Sequence, residues 1–271
     1  MVVYTAEGVD DVVNTSCYGP NNGTDGNVQI VGAYKRSSVG DGKENLGFYY
    51  EGPADGSGTW LTISPNNGNT SNVFMHSIMG GLAVGNYAVP NVKSSNAFIY
   101  DVQAGTYTAF TVDGYSDFTL YGIWHNGGTS YTLAGGCKGQ APDGLAGFLA
   151  DYDSSTKATT NMTLFNYDNK PVNTLFTHFE GITVAEDGYN MAADWAEITG
   201  DKKEGGALAH VKRNPDGSFG IASWTEVRYP TSTPSVTSAN TVYQNNILGI
   251  YLTGEDKQAV INAYNAKVTG Y

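Results

Sequence analysis

The sequence predicts an all-β fold built from five copies of one four-stranded sheet. Three observations carry this expectation: a composition suited to strands and turns, an ungapped internal repeat, and short strand patterns that recur at a near-regular spacing. The chain of 271 residues holds 35 Gly and 19 Tyr, and only 15% of it is charged. Soluble domains usually carry about 25% charged residues, so long surface helices, coiled coils and disorder are disfavoured. A chain of this length buries roughly three-quarters of its unfolded surface and folds without metal or disulfide staples. Tyr, Thr and Gly fit pleated strands joined by tight turns.

The repeat is visible without gaps. Tyr4-Thr5-Ala6 returns as Tyr107-Thr108-Ala109, Val9-Asp10 as Val112-Asp113, and Tyr18-Gly19 as Tyr121-Gly122, all at one offset. Seven of these sixteen aligned positions are identical. A second element places Phe48, Phe98 and Phe148 in the related runs Leu46-Gly47-Phe48-Tyr49-Tyr50-Glu51, Asn96-Ala97-Phe98-Ile99-Tyr100-Asp101 and Ala146-Gly147-Phe148-Leu149-Ala150-Asp151. A third is Val31-Gly32-Ala33-Tyr34 against Val84-Gly85-Asn86-Tyr87, with weaker copies at Ala192-Ala193-Asp194-Trp195 and Leu248-Gly249-Ile250-Tyr251. Repeats then start near Asn14, Asn72, Asp117, Thr174 and Asn240. Their mean spacing is near that of β-propeller blades, roughly 40–50 residues, with some longer loops.

Each element follows in order. In the first repeat a strand is expected around Cys17, then over residues 28–34, 46–51 and 59–63, with breakers such as GDGKEN and SPNNGN in the neighbouring gaps. The chain opens on residues 2–6, which match the last strand of a repeat, and ends in a repeat holding only the earlier strands. The N-terminal strand is therefore expected to complete the last blade, closing a ring of five and removing two free sheet edges. The whole chain, residues 1–271, reads as one propeller domain. Only residues 255–266 have a passable helical pattern, and the repeat register covers them as well.

Two resemblances accompany the repeat. The run from Ala97-Phe98-Ile99-Tyr100-Asp101 through Tyr107-Thr108-Ala109-Phe110-Thr111-Val112-Asp113-Gly114 to Leu120-Tyr121-Gly122-Ile123, with Gln29-Ile30-Val31-Gly32-Ala33-Tyr34, resembles the extracellular HAF-type repeat of secreted propeller-like proteins. That resemblance covers the first three repeats best and implies fold. The segment Val242-Tyr243-Gln244-Asn245-Asn246-Ile247-Leu248-Gly249-Ile250-Tyr251 is similar in style to secreted fungal hetero-Diels–Alderases of tropolone sesquiterpenoid pathways. It implies a cofactor-free cycloaddition.

Charge and motifs narrow the function classes. Against 26 Asp and Glu stand 14 Lys and Arg, a balance that argues against nucleic acid and anionic membrane partners. No Gly-x-Ser-x-Gly elbow, phosphate loop or HExxH occurs, and two Cys cannot build a zinc ribbon. Neither a metal nor a cofactor is expected, and the Asp/Asn loops at 21–27, 41–45 and 214–217 read as turns. The hydroxyl-rich composition favours a secreted protein whose signal segment has been removed over a cytosolic one. Sequons at Asn14, Asn22, Asn69 and Asn161 add little in so Asn-rich a chain. Cys17 and Cys137 fall in different repeats and read as free thiols, with a lone disulfide as the less favoured alternative.

In a propeller the first strand of each blade lines the central channel. Aligned on the Gly and apolar positions, one channel-side position reads Tyr18, His76, Tyr121, Glu180 and Tyr243. His178 is an alternative for the fourth and Gln244 for the fifth. Three phenols, an imidazole and a carboxylate can hydrogen-bond and move protons on an uncharged organic ligand, although such residues also serve merely to bond channel water. Trp124, His125, Asp194 and Trp195 lie just beyond and are expected to add aromatic walls. Arg36, in a loop after the second strand, could hold an anionic oxygen or stand as a solvated charge. His210 is aligned with Tyr50 and Tyr100 as a structural strand residue, and Trp60 and Trp224 are expected to pack between blades. His76, Glu180 and Tyr121 are the catalytic candidates; Tyr18, Trp124, Trp195, Tyr243 and Arg36 are the ligand-binding ones. The function read from this set is cofactor-free cyclisation, isomerisation or hetero-Diels–Alder cycloaddition of a hydrophobic, oxygenated small molecule. The alternative is a lectin-like carbohydrate-binding propeller without catalysis, and the sequence leaves the oligomeric state open.

Overall fold

Short apolar runs separated by Gly, Asn and Asp turns form nineteen strands among the described residues. The computed structural model describes residues 10–65, 68–139, 145–171, 174–198, 200, 203–230, 236–254 and 260–269. The N-terminal strand expected over residues 2–6 lies outside them.

The first sheet holds β1 (Val12–Asn22), β2 (Val28–Arg36), β3 (Leu46–Gly52) and β4 (Thr59–Ile63) in chain order. The second holds β5 (Ser71–Met79), β6 (Leu82–Ala88), β7 (Ser95–Asp101) and β8 (Thr106–Phe110). The third holds β9 (Ser116–Gly127), β10 (Ser130–Lys138), β11 (Leu145–Asp153) and β12 (Ala158–Phe165). In the fourth are β13 (Leu175–Ala185), β14 (Gly188–Glu197), β15 (Glu204–Arg213) and β16 (Phe219–Val227). The fifth has three described strands, β17 (Thr237–Tyr243), β18 (Asn246–Thr253) and β19 (Val260–Lys267). These sheets are the blades of a five-bladed all-β propeller, the class that the repeat predicts. The stretch with a helical pattern is strand from Val260 onward.

The chain divides into two compact units. One comprises Met1–Val112 and Ser116–Ile123, and so holds the first two blades and the start of β9. The other comprises Asp113–Tyr115 and Trp124–Tyr271. In the first unit, Val31, Tyr49 and Ile63 of one blade pack on Val73, Met75, Ala83 and Phe98 of the next. In the second, Leu149 and Phe165 meet Phe179, Met191 and Val211, and Ala192 and Leu208 meet Ala239, Val242 and Ile247. Each large apolar side chain so buried contributes roughly 1.5–3 kcal/mol. The third strands of the first four blades are buried on both faces, which is why Phe48-Tyr49-Tyr50 and Phe98-Ile99-Tyr100 read as unbroken apolar runs.

Register explains the repeated Gly and Phe. Gly32 pairs with Phe48, Gly85 with Phe98 and Gly135 with Phe148. A Cβ at Gly32 would stand 2.1 Å from the Ser16 carbonyl oxygen and 2.7 Å from the Phe48 ring. At Gly85 it would meet the Phe74 carbonyl at 2.2 Å, and at Gly249 the Ser238 carbonyl at 1.9 Å. In the fourth blade Ala193 pairs with Ala207, a smaller version of the same contact. This register moves His210 by one place. It stands three residues after Ala207, where the other blades have Glu51, Asp101 and Asp151, not Tyr50 and Tyr100.

Gly32→Ala is expected to destabilise the protein by about 1–3 kcal/mol, because the new methyl meets backbone on one side and a buried ring on the other. Urea unfolding measures this, and an unchanged midpoint would contradict the close approach.

Candidate functional site

Four of the first strands carry a β-bulge, an extra residue that leaves the ladder and turns its side chain aside. The register slips between Cys17 and Gly19 in β1, between Met75 and Ser77 in β5, between Phe179 and Gly181 in β13, and between Ala239 and Thr241 in β17. The bulged residues are Tyr18, His76, Glu180 and Asn240. In β9 the alternation of buried positions breaks at the same point, with Gly122 and Ile123 both buried after Tyr121. Tyr18, His76 and Glu180 thus share one register position, and Tyr121 stands at the matching break in β9. The fifth is Asn240, not Tyr243. Tyr243 ends β17, opposite Asn246 at the hairpin tip, and is 65% exposed. Gln244 lies in the turn itself with φ 56°.

The first unit brings Tyr18, His76 and Tyr121 together. The His76 imidazole lies 3.5 Å from the Tyr121 ring, 16° from parallel. Tyr18 is tilted beside it at 5.2 Å, and Phe74 stacks at 6.0 Å. Nε2 of His76 is 2.9 Å from Oδ1 of Asn86 on β6. The close approach depends on Gly19, where a Cβ would come within 2.6 Å of the His76 carbonyl oxygen. Partial burial raises the Tyr18 phenol above its ordinary pKa, against a hydrogen bond with Ser16 that lowers it. The phenol is therefore a neutral hydrogen-bond donor at physiological pH.

The second unit gathers Glu180, His178 and Asp194. Nδ1 of His178 is 2.7 Å from Oε1 of Glu180, and the two side chains are only 9% and 16% exposed. Room for the imidazole comes from Gly136, where a Cβ would stand 2.3 Å from Cδ2 of His178. Asp194, paired with His178 across the ladder, reaches to the next blade. Its Oδ1 accepts the Ala239 N–H at 2.8 Å, and the Ser238 hydroxyl lies 2.8 Å from Oδ2. The Tyr264 hydroxyl donates to the Ser238 carbonyl at 2.9 Å. Burial, aided by the neighbouring Glu180 charge, raises the Asp194 carboxyl to about 6 against the hydrogen bonds that lower it. A buried carboxyl of this kind, beside a second carboxylate and an imidazole, is suited to exchanging a proton near neutral pH.

The other candidates lie elsewhere. Trp195 is 6% exposed and stacks face to face on Tyr167 with ring centroids 4.3 Å apart, so its indole is used in packing. Trp124 leans on the core that holds Phe165 and Phe179. Nε of Arg36 is 2.6 Å from Oδ1 of Asp11, whose other oxygen accepts the Ser38 N–H at 2.9 Å. The guanidinium thus fastens a loop. The Nε2 of His125 is 3.0 Å from the Gly128 carbonyl. His210 is buried, with Nδ1 2.7 Å from Oδ1 of Asn190 and Nε2 3.1 Å from Oδ1 of Asp187, as befits a strand residue. Trp60 packs on Phe48 and Tyr50 of its own blade, and Trp224 on Tyr167 and Phe179. Both cysteines are free thiols, and burial pushes Cys137 up to about 12.

Asp194 supplies a pH test. Its pKa of about 6 exceeds the ordinary 3.8, so the native state holds an extra proton between these values. The stability contributed by this group then falls as pH rises through that window, by about 3 kcal/mol. Asp194→Asn keeps the acceptor for Ala239 and is expected to remove this fall. Urea unfolding of both proteins at pH 4 and pH 7 measures it; parallel changes would contradict the shift.

No family model and no curated protein matches the chain. Among solved structures, it is similar to MPT-4, a mannose phosphorylase from Leishmania mexicana solved with a phosphate ion, at 11% identity over 92% of this chain and 83% of that one, with TM-score 0.50. It is also similar to the β-propeller domain of the Trilobed protease from Pyrococcus furiosus (8% identity, 96% and 85% covered, TM-score 0.43) and to the isopeptidase AtxE2 (8%, 96% and 51%, TM-score 0.32). At 11% identity the likeness to the phosphorylase concerns the fold alone.

Proposed function

We propose that this protein binds an uncharged, oxygenated, unsaturated small molecule at the bulge residues of its first unit and promotes its cyclisation, isomerisation or hetero-Diels–Alder cycloaddition without a cofactor. One observation carries the reading. Tyr18, His76 and Tyr121 converge on one place, with the imidazole stacked on one phenol and held through Nε2 by Asn86. Tyr18, Phe74, Tyr121 and Asn86 carry no formal charge, which suits a neutral ligand. The rings offer stacking to an unsaturated skeleton. A phenol can donate to a carbonyl oxygen where negative charge develops, and an imidazole can take up a proton from the adjacent carbon or hydroxyl. Cycloaddition and isomerisation of this kind need no covalent enzyme intermediate. Their acceleration comes from alignment and from donors already in place.

Native mass spectrometry against a metabolite extract, with methyl mannoside as a control, tests this. The expected result is one ligand per chain, lost in His76→Ala. Tyr121→Phe keeps the ring and is expected to slow turnover on the order of 10- to 1,000-fold. Several sugars bound per chain, or unchanged binding in His76→Ala, would contradict the reading and favour the carbohydrate-binding alternative.

A further inference from the structure

Behind each bulge lies one second-strand position, the residue after Gly32, Gly85, Gly135, Ala193 and Gly249. It is occupied in turn by Ala33, Asn86, Gly136, Asp194 and Ile250. The ladders fix this equivalence: Ala33 pairs with Ser16, Asn86 with Phe74, Asp194 with His178 and Ile250 with Ser238, each two residues before the bulged side chain. Gly136 takes the same place in the third blade, one residue after the glycine that faces Phe148. Behind Tyr18, Tyr121 and Asn240 the position is small or apolar. It is polar only behind His76 and Glu180, the imidazole and the carboxyl among these residues. Packing alone gives no reason for that coincidence, since Ala, Gly and Ile all fit the same place.

We infer that Asn86 is the positioning residue of His76, holding the imidazole as its Nε2–H tautomer so that the basic lone pair lies on Nδ1. A neutral imidazole has one N–H and one lone pair, and the partner of one nitrogen decides which carries which. With the amide oxygen 2.9 Å from Nε2, that nitrogen is the donor. The Tyr121 face fixes the ring plane, and Tyr18 and Phe74 flank it, so rotation about the side chain is restrained as well. Asp194 stands at the equivalent place behind Glu180. The inference deepens the function proposed above and rests on its reading of His76 as a proton acceptor.

Imidazole 15N NMR of the ligand-free protein tests it, with the His76 signals assigned by their loss in His76→Gln. The wild type is expected to show a protonated Nε2 and an unprotonated Nδ1 at neutral pH. Asn86→Asp keeps an acceptor and adds a charge. It is expected to keep this tautomer and to raise the proton affinity of His76 at least tenfold, because a carboxylate 2.9 Å from Nε2 favours the charged ring. Asn86→Ala is expected to bring the Nε2 proton into fast exchange. A wild-type Nδ1–H tautomer, or a His76 titration unmoved by Asn86→Asp, would overturn the inference. These spectra need no ligand, whereas the mass-spectrometric experiment needs no tautomer, so the two readings fail separately.

Discussion

The candidate site depends on how closely the second strand of each blade crosses the first. Where they meet, a carbonyl of the first strand sits almost where a side chain of the second would begin. Ser16 stands so against Gly32, Phe74 against Gly85 and Ser238 against Gly249. Beside that contact the first strand holds one residue too many for its partner, and the surplus is the bulge. A bulged side chain is freed from the strict in-and-out alternation of the ladder. The residue before it is buried at Met75, Phe179 and Ala239, so the core is maintained there while the bulged side chain is left for other work.

That arrangement separates two kinds of information in the sequence. Positions at the crossing are legible because geometry narrows their residue types. Gly32, Gly85 and Gly249, and the rings of Phe48, Phe98 and Phe148 that cover three such crossings, recur for that reason, and aligning them recovers the blades. The fourth blade blurs the marker, because Ala193 and Ala207 replace the Gly and Phe pair, and His210 is accordingly displaced by one place when read from sequence alone. The bulged position itself imposes almost no residue type. Tyr18, His76, Tyr121 and Glu180 are found through their flanking residues. In the fifth blade the flanks are Ala239 and Thr241, with no Gly after the bulge, and the aromatic Tyr243 draws the alignment to the hairpin tip.

Two polar groups escape a reading of residues in isolation. Asn86 looks like one more strand residue until its amide is seen at Nε2 of His76. Asp194 is recognisable as an acid, but its two hydrogen bonds to Ser238 and Ala239 follow from the packing of β14 on β17. Trp195 shows the converse. It stands next to Asp194, yet strand alternation turns it to the opposite face, onto Tyr167. A residue's distance along the chain from a site is thus a poor guide in a strand, where neighbours face apart.

On the proposed function, the bulge, and not the hairpin tips or the outer strands, is the place where a ligand is bound. A crystal structure of the protein soaked with a metabolite that it retains tests this most directly. Ligand density is expected in contact with Tyr18, His76 and Tyr121, with an oxygen within hydrogen-bond distance of a phenol or of Nδ1 of His76. Density confined to Tyr243 or to the outer strands, with these three side chains unaltered and bare, would contradict it.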